Sequence, residues 1–241
     1  MSFRWHSYSS PREAASACAR HTSMLLDQAL SGRGTATLAV SGGSTPGLWF
    51  QELVGLDIDW ARVHLFWVDE RAVPPTHEES NYRLAHESLI APARVLSRNV
   101  HRIHGEMAPD AAAKRYVKEI VDFFHLQAGE QPTFDILQLG LGGDAHTASL
   151  FPGEPLVEDR SGIAAAIYSE PKTQWRISLL PGAILAAHHT LFLVTGAEKA
   201  EAVRSVFEAE YDPRRYPGQI THQSRAVVWF LDEAARSQLS G

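Results

Sequence analysis

Short, predominantly apolar runs recur along this chain, and each is followed within a few residues by a helical pattern. Thr35 to Val40, Val63 to Val68 and Phe134 to Leu139 lack the strict polar–apolar alternation of a half-solvated strand. Strands of this kind are covered on both faces, which points to a mostly parallel sheet with helices packed above and below it. Further strands are expected at Ile163 to Tyr168, Arg176 to Leu180, Leu191 to Val194 and Ala226 to Leu231. Ser10-x-x-Glu13 with Pro11 between them is a capping box, opening a helix that carries Ala14, Cys18, Leu25 and Ala29 on one face and stops at Gly32. Thr195-x-x-Glu198 has the same form and predicts a helix over Gly196 to Glu208; two more are expected from about Ser80 and over Asp110 to Leu126. No repeat or Gly/Ser linker interrupts the 241 residues, so a single α/β domain over 1–241 is expected.

Composition narrows the function. Twenty-two Lys and Arg against 28 Asp and Glu give a net charge of -6, with no basic run, so a nucleic-acid binder is not expected. An anionic ligand would need a few placed cations in an acidic background. One cysteine, Cys18, excludes an internal disulfide and a multi-cysteine metal site. No apolar run approaches the ~18 residues of a membrane span, and the opening residues are not those of a signal peptide, so a cytoplasmic protein without membrane contact is expected. His101-x-x-His104 and His188-His189 lack a third ligand, so no metal site is assigned.

In open parallel sheets ligands bind beyond the carboxyl ends of the strands, so the loops after strands carry the chemistry. The first is Ser41-Gly42-Gly43-Ser44-Thr45-Pro46. Its small residues and hydroxyls at a helix start suit an anion, or make an ordinary turn in which Thr45 caps and Pro46 takes the first helical position. It lacks the Gly-Lys-Ser/Thr ending of a Walker loop, and Pro46 replaces a glycine of the serine-hydrolase elbow. Asp69-Glu70-Arg71 also follows a strand, as a solvated charged face or as the rim of a site. Gly140-Leu141-Gly142-Gly143-Asp144-Ala145-His146 imitates a dinucleotide fingerprint, but Pro152-Gly153 leaves no long helix after it. The glycines instead expose Asp144 and His146, a carboxylate and a base whose ordinary pKa suits proton transfer near neutrality. Arg176 begins a predicted strand. Lys199 falls in the first turn of the predicted Thr195-capped helix, where the dipole disfavours a cation unless an anion is bound or solvent screens it. Lys172, Arg214, Arg215 and Arg225 carry no such positional signal.

Together these loops resemble the 6-phosphogluconolactonase family over most of the chain. The resemblance rests on Leu38 to Pro46, Val68 to Pro75 with Ser80-Asn81-Tyr82, Leu139 to Gly153, Arg176 to Leu179, Leu193 to Ala200 and Trp229 to Ala234, six motifs in order. It implies a Rossmann-like α/β fold, no metal or organic cofactor, and hydrolysis of 6-phosphoglucono-lactone in the oxidative pentose phosphate pathway. By the same resemblance His146 activates water and Asp144 orients the histidine or substrate hydroxyls. Arg71 faces the substrate, with Asp69 at the rim. Phosphate contacts fall to Ser41, Gly42, Gly43, Ser44 and Thr45 together with Arg176 and Lys199. The small-molecule lactone is the expected partner, and a monomer is preferred to an oligomer.

Two positions depart from the family. Gly47 stands where many members have lysine, and Ala145 where many have glycine, so a methyl group would strain the loop if φ there is positive. Glucosamine-6-phosphate deaminase, a related family, shares several of the loops. It typically has tyrosine at the position of Arg71 and lacks the Thr147-to-Gly153 continuation. A non-catalytic sugar-phosphate sensor is a third possibility, but the chain has no basic helix-turn-helix extension.

Overall fold

The computed structural model describes residues 4–170 and 173–240; Lys172, given no role by the sequence, lies outside them. The main sheet has seven strands, all parallel: β1 (Arg4–Tyr8), β2 (Ala36–Val40), β3 (Val63–Trp67), β5 (Val100–His101), β6 (Ile136–Leu139), β9 (His189–Val194) and β10 (Val227–Asp232). Their order is β1-β10-β9-β6-β2-β3-β5. The chain therefore builds outward from β2 to β3 and β5, then returns to lay β6 on the other side of β2. That reversal opens a crevice between the carboxyl ends of β2 and β6, the usual ligand position in such sheets.

Helices cover both faces. α1 (Pro11–Arg33) places His21 against Phe230 on one side of β10. The neighbouring Trp229 points the other way, stacked on Phe192 at 3.7 Å and capped by Phe207 of α6 (Ala200–Glu208). Alternate strand residues face opposite sides, so both rows must be apolar, as the sequence pattern requires. All four residues expected on the inner face of α1 are buried, and Ser10 caps its start. The helix runs through Gly32 and ends two residues later than expected, at the cap Gly34, whose φ of 79° lets its N–H reach Leu30 O.

The segments near 163–168 and 176–180 depart from the expected single sheet. β4 (Asp69–Arg71), β7 (Ala164–Ser169) and β8 (Gln174–Leu179) form a separate antiparallel sheet ordered β4-β8-β7. Val68 joins the two layers: its N–H donates to Val40 O at 2.9 Å and its carbonyl accepts from Leu179 N at 2.8 Å. The small sheet thus sits at the carboxyl edge of the large one, over the crevice. The remaining helices are α2 (Ser44–Val54), α3 (Asn81–Ala85), α4 (Pro109–Phe124) and α5 (Pro181–Ala186).

Two expected caps are corrected. Gly43, at φ 113°, is the residue before α2, which starts at Ser44 without a side-chain cap. Likewise Gly196, at φ 100°, precedes a 3₁₀ turn over Ala197–Lys199, and α6 begins only at Ala200. In both cases the threonine hydroxyl makes a tertiary contact instead: Thr45 and Thr195 bond each other at 2.9 Å. The segment 210–224 is a packed 3₁₀ stretch in its second half, with Pro217 to Thr221 buried.

Candidate active site

Three strand ends of the main sheet and the small sheet meet around a cleft of about 170 Å³. Ser41 and Gly42 follow β2, Gly140 and Gly142 follow β6, and Lys199 follows β9. β4 contributes Asp69 and Arg71, and β8 contributes Arg176.

The loop after β6 is a tight turn held by its own backbone. Gly142 N donates to His146 O at 2.8 Å and Ala145 N donates to Gly142 O at 3.0 Å, while Thr147 Oγ1 donates to Gly140 O. Ala145 adopts φ 65° and Ala148 φ 52°, so the methyl at 145 does sit in the left-handed region. Gly218 N, from the buried 3₁₀ stretch, donates to Ala145 O at 2.9 Å and holds that conformation from outside. The turn brings His146 Nδ1 to 2.5 Å from Asp144 Oδ1, which also accepts the His146 backbone N–H at 3.1 Å. Partial burial pushes the Asp144 carboxyl up, but the hydrogen bond and charge of His146 outweigh it and hold the group at about 2. An ionised carboxylate can only accept, so Nδ1 carries the proton and Nε2 is left with the lone pair. His146 packs on Phe151 at 4.7 Å between ring centroids.

β4 and β8 pair so that Arg71 and Arg176 lie directly opposite one another, with Asp69 opposite Ser178. Like charges across a strand pair are unfavourable. Asp69 relieves this only in part: its Oδ2 lies 4.0 Å from Arg176 Nη1 and is shared with the Ser149 hydroxyl at 2.6 Å. Burial pushes the Arg176 pKa down, with Asp69 opposing and Arg71 adding to the fall. Arg71 Nη1 donates to Glu79 O at 2.6 Å, and the Nε atoms of both arginines are buried without a partner. Lys199 Nζ has no hydrogen bond or ion pair among the described residues. Three cations against one lining carboxylate give the cleft a local positive charge in a chain of net charge -6.

Glu70, one residue from both Asp69 and Arg71, faces away from the cleft and is 2% exposed. Burial raises its pKa, opposed by hydrogen bonds from Tyr82 N, Asn81 N, Arg71 N and Ser80 Oγ. It therefore caps α3 rather than serving the substrate.

The structure gathers Ser41, Gly42, Asp69, Arg71, His146, Arg176 and Lys199 into one cleft, with Asp144 directly behind His146. Gly43, Ser44 and Thr45 are not among its lining residues, and the Ser41 hydroxyl donates to Gln138 O at 2.8 Å. Of the expected phosphate loop, then, Ser41 and Gly42 reach the cleft. Lys199 reaches it from the 3₁₀ turn, immediately before α6. Asn81 was not singled out, although its motif was noted; it lines the cleft, donates through Nδ2 to Asp69 O at 2.8 Å, and fills the space beside Gly42 where a side chain would stand. No group of three or more His, Cys, Asp or Glu among the described residues is placed to hold a metal ion. No described helix is long and apolar enough to cross a membrane.

A seven-stranded parallel sheet with a crevice at the β2–β6 reversal defines a Rossmann-like α/β protein with a cation-rich cleft and a histidine–carboxylate pair. A family model described as glucosamine-6-phosphate isomerases/6-phosphogluconolactonase matches residues 9–229, and the chain belongs to that family. It is 36% identical over 217 residues to a 6-phosphogluconolactonase of Synechocystis, covering 89% of each chain. It is 38% identical over 198 residues to a 6-phosphogluconolactonase of Treponema pallidum, covering 80% of this chain and 81% of that one. Among solved structures, a 6-phosphogluconolactonase from Shewanella baltica superposes with a TM-score of 0.86 at 28% identity, covering 96% of this chain and 98% of the other.

Proposed function

We propose that this chain hydrolyses 6-phospho-D-glucono-1,5-lactone to 6-phospho-D-gluconate, a step of the oxidative pentose phosphate pathway. The observation that carries the proposal is the Asp144–His146 pair at 2.5 Å opening on the same cleft as Arg71, Arg176 and Lys199. A phosphorylated lactone needs both halves: a base for water and fixed cations for its phosphate. The relatives' names support the same substrate.

In the proposed sequence His146 Nε2 takes a proton from water as its oxygen attacks the lactone carbonyl carbon. Asp144, accepting from Nδ1, holds the ring in the tautomer that leaves Nε2 free and stabilises the imidazolium that forms. Arg71 supports the developing oxyanion, and Arg176 and Lys199 hold the phosphate with the Ser41–Gly42 turn. The tetrahedral intermediate collapses, the ring oxygen leaves, and the imidazolium returns the proton to it. The carboxylic acid so formed ionises to solvent at neutral pH. Every proton is accounted for without a cofactor. Asp69 positions Arg176 and is itself held by Ser149 and Asn81. A substrate that carries a phosphate stays in the aqueous compartment that makes it, and the proposal is that the enzyme works in that same compartment, the cytoplasm.

The family description also covers glucosamine-6-phosphate isomerases. One assay separates the two. Freshly prepared 6-phosphogluconolactone is followed by proton release above its spontaneous opening, and glucosamine 6-phosphate is followed by ammonia release. Hydrolysis well above background with no ammonia is expected; ammonia release without lactone hydrolysis would reverse the assignment.

A further inference from the structure

A second cleft, about 680 Å³, adjoins α3. Asn81 of that helix lines the catalytic cleft, whereas Tyr82 lines this one. Its volume lies in the range of small-molecule sites, which is about 300–1,000 Å³.

Three arginines converge on it: Arg94, Arg102 and Arg115. Arg102 is committed, in a two-bond pair with Glu106 at 2.9 and 2.6 Å, and its guanidinium lies 5.3 Å from the centre of the Tyr82 ring. The one acid among the residues lining the cleft, Glu119, is bonded to His101 Nδ1 at 2.9 Å. Arg94 and Arg115 have no acidic partner among the described residues. Two guanidinium groups without an ion-pair partner thus share a cavity with a single carboxylate, in a chain whose net charge is -6. Its other wall is apolar, formed by Ile90, Val95 and Leu96.

The backbone here is unusual as well. His86–Ile90 is a π-helical turn, with Ala91 N donating to His86 O and Val95 N to Ile90 O. Arg94 has φ 54°, a left-handed conformation that a non-glycine residue adopts at a cost. π-helical turns and strained residues concentrate at functional sites. Both features lie in the segment that carries Ile90, Arg94, Val95 and Leu96 into the lining of this cleft.

We infer that this cleft is a second anion site, separate from the catalytic one, that takes a phosphorylated organic anion of nucleotide size. The guanidinium groups bind its phosphates and the Ile90–Val95–Leu96 wall covers its organic part. Neither element serves lactone hydrolysis.

The test is calorimetric titration of the full chain with ATP, tripolyphosphate and adenosine in magnesium-free buffer at low salt. ATP is the probe that carries both phosphates and an apolar body. ATP is expected to bind in the submillimolar range, tripolyphosphate about tenfold more weakly, and adenosine not detectably. Arg94→Gly with Arg115→Gln should weaken ATP by about tenfold or more, since charge-assisted phosphate contacts are lost. Glycine accepts φ 54° without strain, so this variant keeps its thermal stability and its lactone hydrolysis, and loss of binding is not loss of fold. Lys199→Ala, altered in the catalytic cleft, should leave ATP affinity unchanged. Absence of ATP binding below about 5 mM, binding that survives the double substitution, or binding that disappears in Lys199→Ala overturns the inference.

Discussion

Gly142→Ala isolates the contribution of the Asp144–His146 pair without touching either residue. A Cβ built on Gly142 would lie 2.0 Å from His146 Nδ1, 2.2 Å from its Cε1 and 2.6 Å from Asp144 Oδ1. The backbone cannot step aside, because Gly142 N and O are bonded to His146 O and Ala145 N. The side chains must move instead, and the 2.5 Å contact between them breaks. What is lost is the orientation and tautomer of the proposed general base, His146, which itself remains present. General base catalysis typically contributes about 10²–10⁴-fold, so kcat should fall by about 10²-fold, or ~3 kcal/mol in the barrier. Arg71, Arg176 and Lys199 are unaffected, so KM should stay within about threefold. Gly143→Ala is the matched control: its Cβ meets nothing nearer than Glu198 O at 3.4 Å, and it should behave as wild type. Steady-state proton release on 6-phosphogluconolactone gives both constants, and thermal unfolding confirms that the variants are folded. A Gly142→Ala enzyme with wild-type kcat would refute the reasoning, as would equal losses in the two glycine variants.

Other consequences follow from the same geometry. Lys199→Ala should raise KM by about tenfold with kcat little changed and unfolding temperature unaltered, since the lysine has no hydrogen bond or ion pair among the described residues; a salt titration of KM in both proteins checks that the loss is electrostatic. Glu70→Gln replaces one acceptor oxygen with a donor that faces donors, so two of the four bonds to Glu70, three of which come from the start of α3, are disrupted; denaturant unfolding should show a loss of about 2–3 kcal/mol. Asp144 has a folded pKa depressed from 3.8 to about 2, so its contribution to stability is present above 3.8 and is lost as pH falls through about 2. The stability difference between wild type and Asp144→Asn should therefore be constant above about pH 5 and vanish on acidification. Because the Asp144 side chain is 47% exposed, that difference should stay below about 1 kcal/mol. A difference that grows as pH falls would contradict the assignment.

What the sequence reveals of this fold is what depends on local pattern. The apolar runs at 35–40, 63–68 and 134–139 became β2, β3 and β6 to within two residues at each end, because consecutive apolar positions have few other uses. His146 and Asp144 were legible because they sit two apart in one glycine-rich turn. The missed features are all pairings between distant residues. Asp69-Glu70-Arg71 has the look of a solvated triplet, yet it is a strand, because β8 supplies its hydrogen bonds from more than a hundred residues away. Ser149 holds Asp69 across 80 positions, and no spacing rule links them. Nor could the sequence show that the Thr195 hydroxyl, which does not cap the following helix, bonds Thr45, 150 positions away. Asn81 could have been found from its place directly after the Ser80 cap of α3, where a polar residue has no helical purpose.

The central claim is that His146 is the base and that the cations of the cleft recognise a phosphate. The most direct measurement compares wild type and His146→Asn on 6-phosphogluconolactone and on unphosphorylated gluconolactone, by proton release corrected for spontaneous opening. Rapid hydrolysis of the phosphorylated lactone alone is expected from the wild type, with kcat about 10²–10⁴-fold lower in the variant and KM little changed. Wild-type turnover in His146→Asn would contradict the role of the histidine, and equal kcat/KM on the two lactones would contradict the anion site.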